Sequence, residues 1–376
     1  MAIDYVEIRS TDTTLLGIID TAQSVIWHSV YYGVGDFEIY VEASPKSVEL
    51  LQPHNLVTRP NDLEVGIIEK ISIEYDQQGG RMLTATGRFA KSILERRLIY
   101  NLAGTVNTPT ILRGNVEEEV RRVVYENAIG CTFDSRRNIP LLELGDIAGY
   151  PQRIVDARGY ATQKQVSYGN LLTYTDGLLQ EYGMAATIIL DEDAGKLRYV
   201  IYAGIDHSWD NAAGNEPVVF SESFDNLTSS GYEYDVAPEK NVALIGGAGE
   251  GVERFYSLVA GSETGLERRE MWVDSSSVNR TYKDENDEEV QYSDSDYRAM
   301  LDAAGTQQLN ANYAKESFNG TIDIQRSRWQ YNRDFALGDI VTTQDDGIGK
   351  YVNVRICGVL EVQDESGYSI EAENQT

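Results

Sequence analysis

The chain has 376 residues, of which 41% are hydrophobic and 24% are charged, as in folded globular proteins. Its 60 acidic residues outnumber 32 basic residues, and the net charge of −28 argues against binding nucleic acid or anionic lipid through a basic surface. Two cysteines, three histidines and the lack of a run of about 18 apolar residues predict no metal site, no cofactor and no membrane-spanning segment.

The first hundred residues show patterns that are typical of β-strands. Phe37–Glu42 alternates apolar and polar side chains, which predicts a strand with one buried face. Ile71–Tyr75 and Met82–Thr86 flank a turn that contains two glycines, so we expect a hairpin. Short helices are predicted at Ser44–Leu51, where a serine cap precedes proline, and at Phe89–Arg97.

The centre of the chain predicts a mixed region of helices and strands. Residues Asn115–Gly130 are expected to form a capped helix whose valines lie on one face. A second amphipathic helix is predicted at Asn170–Tyr182. It precedes strands at Ala185–Leu190 and Leu197–Tyr202, so we expect a helix that packs on a hairpin. The remainder predicts further strands and one helix at about Asp294–Tyr313.

An internal similarity relates the two ends of the chain. Asn55–Thr58, Gly66–Ile71 and a turn at Asp76–Gly80 resemble three later segments in order, chemistry and approximate spacing. The later segments are Asp339–Thr342, Gly358–Val362 and Asp364–Gly367. This pattern favours two related strand-rich domains with helical material between them, although a chance similarity between two β-hairpins is the alternative.

Several motifs resemble enzyme or metal sites only superficially. Gly246–Gly251 fits neither the dinucleotide nor the P-loop pattern and precedes a predicted strand at Val252–Val259. Asp206, His207 and Ser208 have the residue types of a hydrolase triad, but neighbours in sequence cannot easily form its chain of hydrogen bonds. Asp284–Glu289 lacks the glycine of a calcium loop. We therefore expect no catalytic residues and no enzyme activity.

Several segments together resemble a family of tail hub proteins from long-tailed phages, which infect mainly Gram-positive hosts. The similarity follows the family order over nearly the whole chain. The segments are Leu16–Asp20, Tyr31–Glu38, Leu50–Pro53, Gly66–Glu69, Val166–Leu172, Tyr202–Ser208, Val218–Leu227, Lys240–Leu244, Gly265–Glu270 and Leu337–Val341. His207 departs from the pattern, because the family has arginine at that position.

The resemblance implies a fold similar to the baseplate hub of contractile phages. The expected fold is mainly β with α+β insertions, and it has two related, tail-tube-like β-barrel domains at the two ends of the chain. The predicted domains are a first barrel at 1–104, a helix-containing domain at 105–165, a small α+β domain at 166–230 and a second barrel at 231–376. Three copies with two barrels each would give a pseudo-sixfold ring.

The resemblance also implies partners and a location. The hub would be a homotrimer at the tail tip of the virion, and it would fold in the host cytoplasm before assembly. Its expected partners are the tail tube or distal tail protein, the tape-measure protein, and a tail fibre or receptor-binding protein. DNA would pass through the channel without specific binding.

An acidic channel wall would repel DNA, so that DNA does not bind to the exit channel. The alternative is that the acidic charge serves solubility alone. Glutamates of predicted strands are the best candidates for that wall, and they are Glu38, Glu69, Glu74 and Glu361. Two alternatives stay open from the sequence. One is a tip-associated hydrolase of cell-wall polysaccharide that uses two carboxylates, and the other is a carbohydrate-binding adhesin, suggested by the 24 tyrosines and four tryptophans.

Overall fold

The computed structural model describes residues 3, 5–60, 62–75, 79–103, 106–107, 110–112, 115–145, 164–166, 168–283 and 288–375. The α-helices are α1 (Pro45–Leu50), α2 (Val116–Val124), α3 (Leu171–Gln180) and α4 (Asp294–Ala311). Short 3-10 helices span Ala90–Arg96, Ser135–Arg137, Glu222–Phe224, Gly251–Glu253 and Gly265–Glu267, and a π-helical turn spans Tyr125–Ile129.

The strands of the first half are β1 (Val6–Arg9), β2 (Leu15–Ile19), β3 (Ala22–Val30), β4 (Asp36–Glu42), β5 (Leu56–Thr58), β6 (Gly66–Tyr75), β7 (Arg81–Phe89), β8 (Leu102–Ala103), β9 (Val106–Asn107), β10 (Thr110–Leu112), β11 (Leu142–Leu144) and β12 (Lys164–Val166). Those of the second half are β13 (Ala185–Asp191), β14 (Lys196–Tyr202), β15 (Val219–Ser221), β16 (Leu227–Asp235), β17 (Val242–Gly246), β18 (Tyr256–Ala260), β19 (Glu270–Asp274), β20 (Thr281–Lys283), β21 (Glu289–Gln291), β22 (Lys315–Asp323), β23 (Ile340–Asp345), β24 (Lys350–Asp364) and β25 (Gly367–Gln375). The expectation of a mainly β protein is therefore confirmed.

One large sheet contains strands from both ends of the chain. Its order is β16-β22-β25-β24-β3-β4-β7-β6-β5-β1-β2, and β23 also pairs with β24 and β15. Strand β24 makes the connection, because its 15 residues pair with β23, β25 and β3. The two-barrel arrangement expected from the resemblance stays a prediction, because no closed barrel is found among the described strands. They build one sheet whose end strands, β2 and β16, do not pair with each other.

The internal similarity is present as a shared order of strand pairing. In β5–β6–β7 and in β23–β24–β25, the second strand pairs antiparallel with the first and the third. Both second strands carry a β-bulge, at Glu69 in β6 and at Cys357 in β24. Matching the two bulges aligns Gly66 with Val354, not with Gly358 as the sequence comparison suggested. A bulge at the same place strengthens the relation between the two segments, since bulges are specific features of a fold.

The middle of the chain packs helices on a small sheet, as the sequence predicted. Helix α2 is capped by the side chain of Asn115, and α3 by that of Asn170. Their apolar faces are buried together with residues of the sheet β11-β14-β13. The segment predicted as a helix at Phe89–Arg97 is instead a 3-10 helix, at Ala90–Arg96.

The chain divides into two compact units. Unit 1 comprises residues 1–231 and 319–375, and unit 2 comprises Tyr232–Phe318. In unit 2 the sheet β18-β17-β19 buries Ala243 and Ile245 against Tyr297 and Leu301 of α4. The strand predicted at Val252–Val259 starts only at Tyr256, because a 3-10 helix precedes it. The domain boundaries at 104, 165 and 230 stay predictions.

Both cysteines are free, and Cys131 is buried while Cys357 is partly exposed. The acidic loop at Asp284–Glu289 lies largely outside the described residues. No helix in the described part of the chain is long and apolar enough to cross a membrane.

Candidate functional site

The large sheet has a buried face and an outward face, and the alternation of each strand decides which side chains lie on each. In β4, Phe37, Ile39 and Val41 are buried, whereas Asp36 and Glu38 lie on the other side. Pairing carries this arrangement across the neighbouring strands because residues opposite each other share a face. The inner face packs around Trp27, Phe37 and Phe89, whose rings lie within 6.5 Å of one another between centroids.

The outward face of β25-β24-β3-β4-β7-β6 carries more acidic than basic residues. Its acidic members include Asp36, Glu38, Glu42, Glu74, Glu371 and Glu373, and its basic members include Lys70 and Arg88. We call this surface the acidic sheet face. His28 lies on it between two carboxylates, with ring nitrogens 3.5 Å from Asp36 and 3.8 Å from Glu373. The net charge of the face is negative when these carboxylates are ionised.

The structure brings two of the four predicted glutamates onto the acidic sheet face. Glu38 is partly buried between Ile26 and Thr86, and Glu74 is exposed opposite Met82. Glu69 occupies the bulge of β6 and is exposed, but Arg88 binds it at 2.9 Å and Arg96 lies 3.8 Å away. The charge of Glu69 is therefore partly neutralised by arginine.

Glu361 lies on the inner face, because its position in β24 has the same parity as Val359 and it pairs with Trp27. It is only 6% exposed and forms an ion pair with the guanidinium of Arg59. The hydroxyl of Tyr368 donates a hydrogen bond to the same carboxylate at 2.5 Å. Burial, followed by the charge of Glu361, raises the pKa of Tyr368. Glu361 thus belongs to the core and presents no free charge at the surface.

Arg59 organises the charged groups beneath the sheet. Its Nε lies 2.6 Å from Asp62, and its guanidinium lies 5.0 Å from the centre of the Trp27 ring. Although burial favours the neutral form, the carboxylates of Asp62 and Glu361 raise the pKa of Arg59 above its usual value. A buried charge without partners would cost several kcal/mol, so these contacts are needed to keep the guanidinium inside the protein.

A second group of charged side chains, His207 and Asp339, links the segment after β14 to the segment before β23. The Nδ1–H of His207 donates a hydrogen bond to the carbonyl oxygen of Glu216 at 2.8 Å. Its Nε2 lies 3.8 Å from the carboxylate of Asp339, which is 3% exposed. Asp339 also accepts hydrogen bonds from the backbone N–H groups of Ile205 and Ala336, at 2.5 and 2.7 Å. His207 therefore contacts both the segment around Glu216 and the segment around Asp339, and it helps to hold the two together.

The two arrangements that the sequence raised, a metal site and a hydrolase triad, are not found among the described residues. No cluster of three or more histidine, cysteine, aspartate or glutamate side chains in the described ranges is placed to hold a metal ion. His207 faces Glu216 and Asp339, whereas Ser208 is bound to Asp206 through its backbone N–H at 2.9 Å. These three neighbours therefore do not form a triad.

Sequence reasoning missed Glu371 and Glu373 of the acidic sheet face and Arg59 beneath it. The alternation of Gly367–Gln375 is a signal that would have placed the two glutamates on one side of a strand. No local signal identifies Arg59, because its partner Glu361 is distant in sequence.

Solved structures of phage and prophage tail proteins share this fold. The tail protein from Neisseria meningitidis MC58 has a TM-score of 0.57 at 14% identity, and the alignment covers 99% of this chain and 96% of that one. The 43 kDa tail protein of prophage MuSo2 from Shewanella oneidensis has a TM-score of 0.57 at 12% identity, with coverage of 99% and 98%. Prophage tail protein gp18 from Listeria monocytogenes EGD-e has a TM-score of 0.53 at 11% identity, with coverage of 99% and 94%.

No curated protein sequence is significantly similar to the chain. The sequence model of one family, however, matches residues 5–373. This match confirms the resemblance to tail proteins of long-tailed phages that the sequence motifs indicated. Because it covers nearly the whole chain, the protein belongs to the Siphovirus ReqiPepy6 Gp37-like protein family.

Proposed function

We propose that the protein is a non-enzymatic structural part of the phage tail and serves as its hub. In this proposal three copies cap the distal end of the tail tube and surround the channel through which DNA leaves the particle. The observation that carries the proposal is the acidic sheet face, an outward surface of one sheet on which acidic residues outnumber basic ones. We place this face toward the channel.

An acidic wall suits a channel for DNA because DNA is a dense line of negative charge. At physiological ionic strength repulsion acts over only about 8 Å, so the carboxylates must lie on the wall itself. The position of Glu38 and Glu74 on the outward face, and the exposure of Glu69, support their proposed place on that wall. Glu361 does not contribute, since Arg59 neutralises it in the core.

The repeated strand order supports a role in joining a threefold hub to a sixfold tail tube. The segments β5–β6–β7 and β23–β24–β25 share their pairing and the position of a bulge. A trimer of a chain with two related segments presents six similar elements around its axis, which is what a sixfold tail tube requires. The domain limits 1–104, 105–165, 166–230 and 231–376 are retained as part of this proposal.

Apolar surfaces of the chain are available for contacts within the tail. The outer side of the unit 2 sheet exposes Leu258 and Trp272, which lie on either side of the exposed Leu244. Patches of this kind usually mark protein contacts. Trp272 is thus the tryptophan that we place between subunits or against the tail tube, tape-measure or fibre protein, whereas Trp27 is buried within its own chain.

The trimer is tested by native mass spectrometry of the purified chain and by electron microscopy of the particle. We expect a mass of three chains and a threefold ring at the tail tip. A single copy of the protein in the assembled tail would overturn the proposed hub.

The channel is tested by reversing charge on its proposed wall. We expect the pair Glu38→Lys and Glu74→Lys to slow DNA ejection from assembled particles, more at low salt than at high salt. The matched control is Glu250→Lys with Glu253→Lys, since these residues cap and end a 3-10 helix of unit 2 and are not part of the acidic sheet face. Equal ejection rates in both variants and the unmodified particle would show that the acidic sheet face does not line the channel.

A further inference from the structure

A cavity of about 400 Å³ lies beside the π-helical turn Tyr125–Ile129. It is lined by aromatic and polar side chains of the middle region and is not part of the acidic sheet face. A π-helical turn accommodates an extra residue and redirects side chains, and such turns are frequent at functional sites. The volume is that of a site for a small molecule.

Tyr125 provides one aromatic surface of the cavity. Its side chain is 48% exposed, and its ring packs against the backbone at Gly130. A Cβ atom at position 130 would lie 2.4 Å from that ring, so glycine permits the ring position seen here. The backbone N–H of Gly130 also donates to the carbonyl oxygen of Tyr125 at 2.7 Å. The ring is therefore a planar apolar surface that remains open to solvent.

Tyr100 and Phe133 provide a second aromatic surface, with ring centroids 5.3 Å apart. The guanidinium of Arg137 lies 3.9 Å from the centre of the Tyr100 ring and 5.2 Å from that of Phe133. Arg137 is buried and donates to the carbonyl oxygens of Leu98 and Tyr100. These contacts fix both rings before any ligand binds, which reduces the entropy that binding must overcome.

The polar groups of the cavity suit a neutral ligand. The side chains of Asn101 and Thr132 line it and make no hydrogen bond within the described chain, so their donors and acceptors are available. Arg122 is bound to Glu119 at 2.5 Å and to Glu126 at 3.0 Å. The described lining therefore offers no unpaired cation to attract an anion.

We propose that this cavity binds a neutral saccharide unit. A pyranose ring has C–H faces that stack on aromatic side chains and hydroxyl groups that pair with amides, hydroxyls and carboxylates such as Glu126. A phosphate or an acidic sugar lacks a cationic partner here. A wholly apolar ligand would cover Asn101 and Thr132 without satisfying their hydrogen bonds, which costs about 1–3 kcal/mol for each group. The tail hub role needs no such site, so this inference stands apart from it.

Saturation-transfer NMR with the full chain tests the proposal. The probes are glucose, galactose, N-acetylglucosamine, N-acetylgalactosamine and their β-linked disaccharides, with adenosine monophosphate and glucuronic acid as charged probes. We expect transfer to at least one neutral sugar. The variant Tyr125→Ala should weaken its binding at least tenfold, and Asn101→Ala several-fold. Both side chains are exposed, and thermal melting would check that each variant is folded.

The matched control is Tyr313→Ala, which removes a tyrosine of similar exposure, 51%, in unit 2. It should leave sugar binding unchanged. Lack of transfer to every neutral sugar at millimolar concentration would overturn the proposal. So would sugar binding that survives in both cavity variants, or a preference for the charged probes that depends on Tyr125.

Discussion

Glu64 is a carboxyl group in surroundings that favour its protonated form. Burial, followed by the negative charge of Asp62, raises its pKa from 4.5 to about 8. The hydroxyl of Ser29, which donates to it at 2.6 Å, acts in the opposite direction. In the unfolded chain the group ionises at its ordinary pKa, so the folded state holds the proton more tightly. The free energy of unfolding should therefore fall as pH rises from about 4.5 to about 8.

The variant Glu64→Gln should remove this dependence, because glutamine keeps a hydrogen-bond acceptor for Ser29 but does not ionise. We expect the variant and the natural chain to have similar stability at pH 5. Above pH 8 the variant should be the more stable one. Urea denaturation at pH 5, 7 and 9 measures this, and parallel pH profiles would contradict the raised pKa.

The pair of Arg59 and Glu361 gives a second test at the scale of residues. Replacing Glu361 by alanine leaves the buried guanidinium with Asp62 alone and should cost about 3–5 kcal/mol of stability. The double variant Arg59→Met with Glu361→Leu removes both charges and should be less destabilised than the sum of the single variants Arg59→Met and Glu361→Leu. A double-mutant cycle in urea measures the coupling. Additive losses would show that the two side chains do not depend on each other.

At the scale of elements, the bulge in β6 depends on a neighbouring glycine. Gly87 in β7 pairs with Ile68 beside the bulge, and a Cβ atom there would lie 1.8 Å from the carbonyl oxygen of Ile67. That oxygen belongs to the backbone and cannot move without disturbing the pairing. The sheet therefore has room for hydrogen alone at this position.

We expect Gly87→Ala to destabilise the protein by about 1–3 kcal/mol, as overpacking does in well-packed cores. The matched control is Gly177→Ala in the interior of α3, where a Cβ atom would have no neighbour within 4 Å. That control should stabilise the chain by about 0.5–1 kcal/mol, because alanine favours the helix. Chemical denaturation distinguishes the two, and a tolerated Gly87→Ala would argue against the bulge.

The sequence predicted the local elements well and their distant pairing poorly. Helices α1, α2 and α3 were predictable because Ser44, Asn115 and Asn170 cap them and their apolar residues recur with helical spacing. The inward position of Glu361 was not predictable, since alternation defines two faces but not which one is buried. Pairing of β24 with β3 decides that, and no local pattern encodes it. The cavity beside the π-helical turn also depends on contacts between distant residues.

At the scale of the whole molecule, unit 2 is an insertion within the large sheet. The chain leaves unit 1 along β16 and returns along β22, and these two strands are neighbours in the sheet. Unit 2 has its own core around Tyr297 and Leu301. The strands that complete unit 1 lie after the insertion.

Replacing residues 236–314 by a short Asn-Gly turn should therefore leave unit 1 folded, because β16 and β22 would still be joined as a hairpin. Truncation after Gly320 is the contrasting variant, and it should unfold unit 1 because it removes β23, β24 and β25. Circular dichroism and limited proteolysis measure both. If both variants are folded, or if both are unfolded, unit 1 does not fold independently of unit 2 in the way described.

The pairing of β24 with β3 has a consequence for how the protein is made. Val30 emerges from the ribosome about 330 residues before the end of β24, the strand that later covers its edge. At about 5–20 residues per second, this leaves the nascent sheet with an open edge for tens of seconds. Nascent chains on one polyribosome carry identical open edges close together, and such edges can pair with one another. The yield of correctly folded protein should therefore depend on elongation speed and on chaperones that shield β3. In the finished protein, β3 is enclosed between β4 and β24.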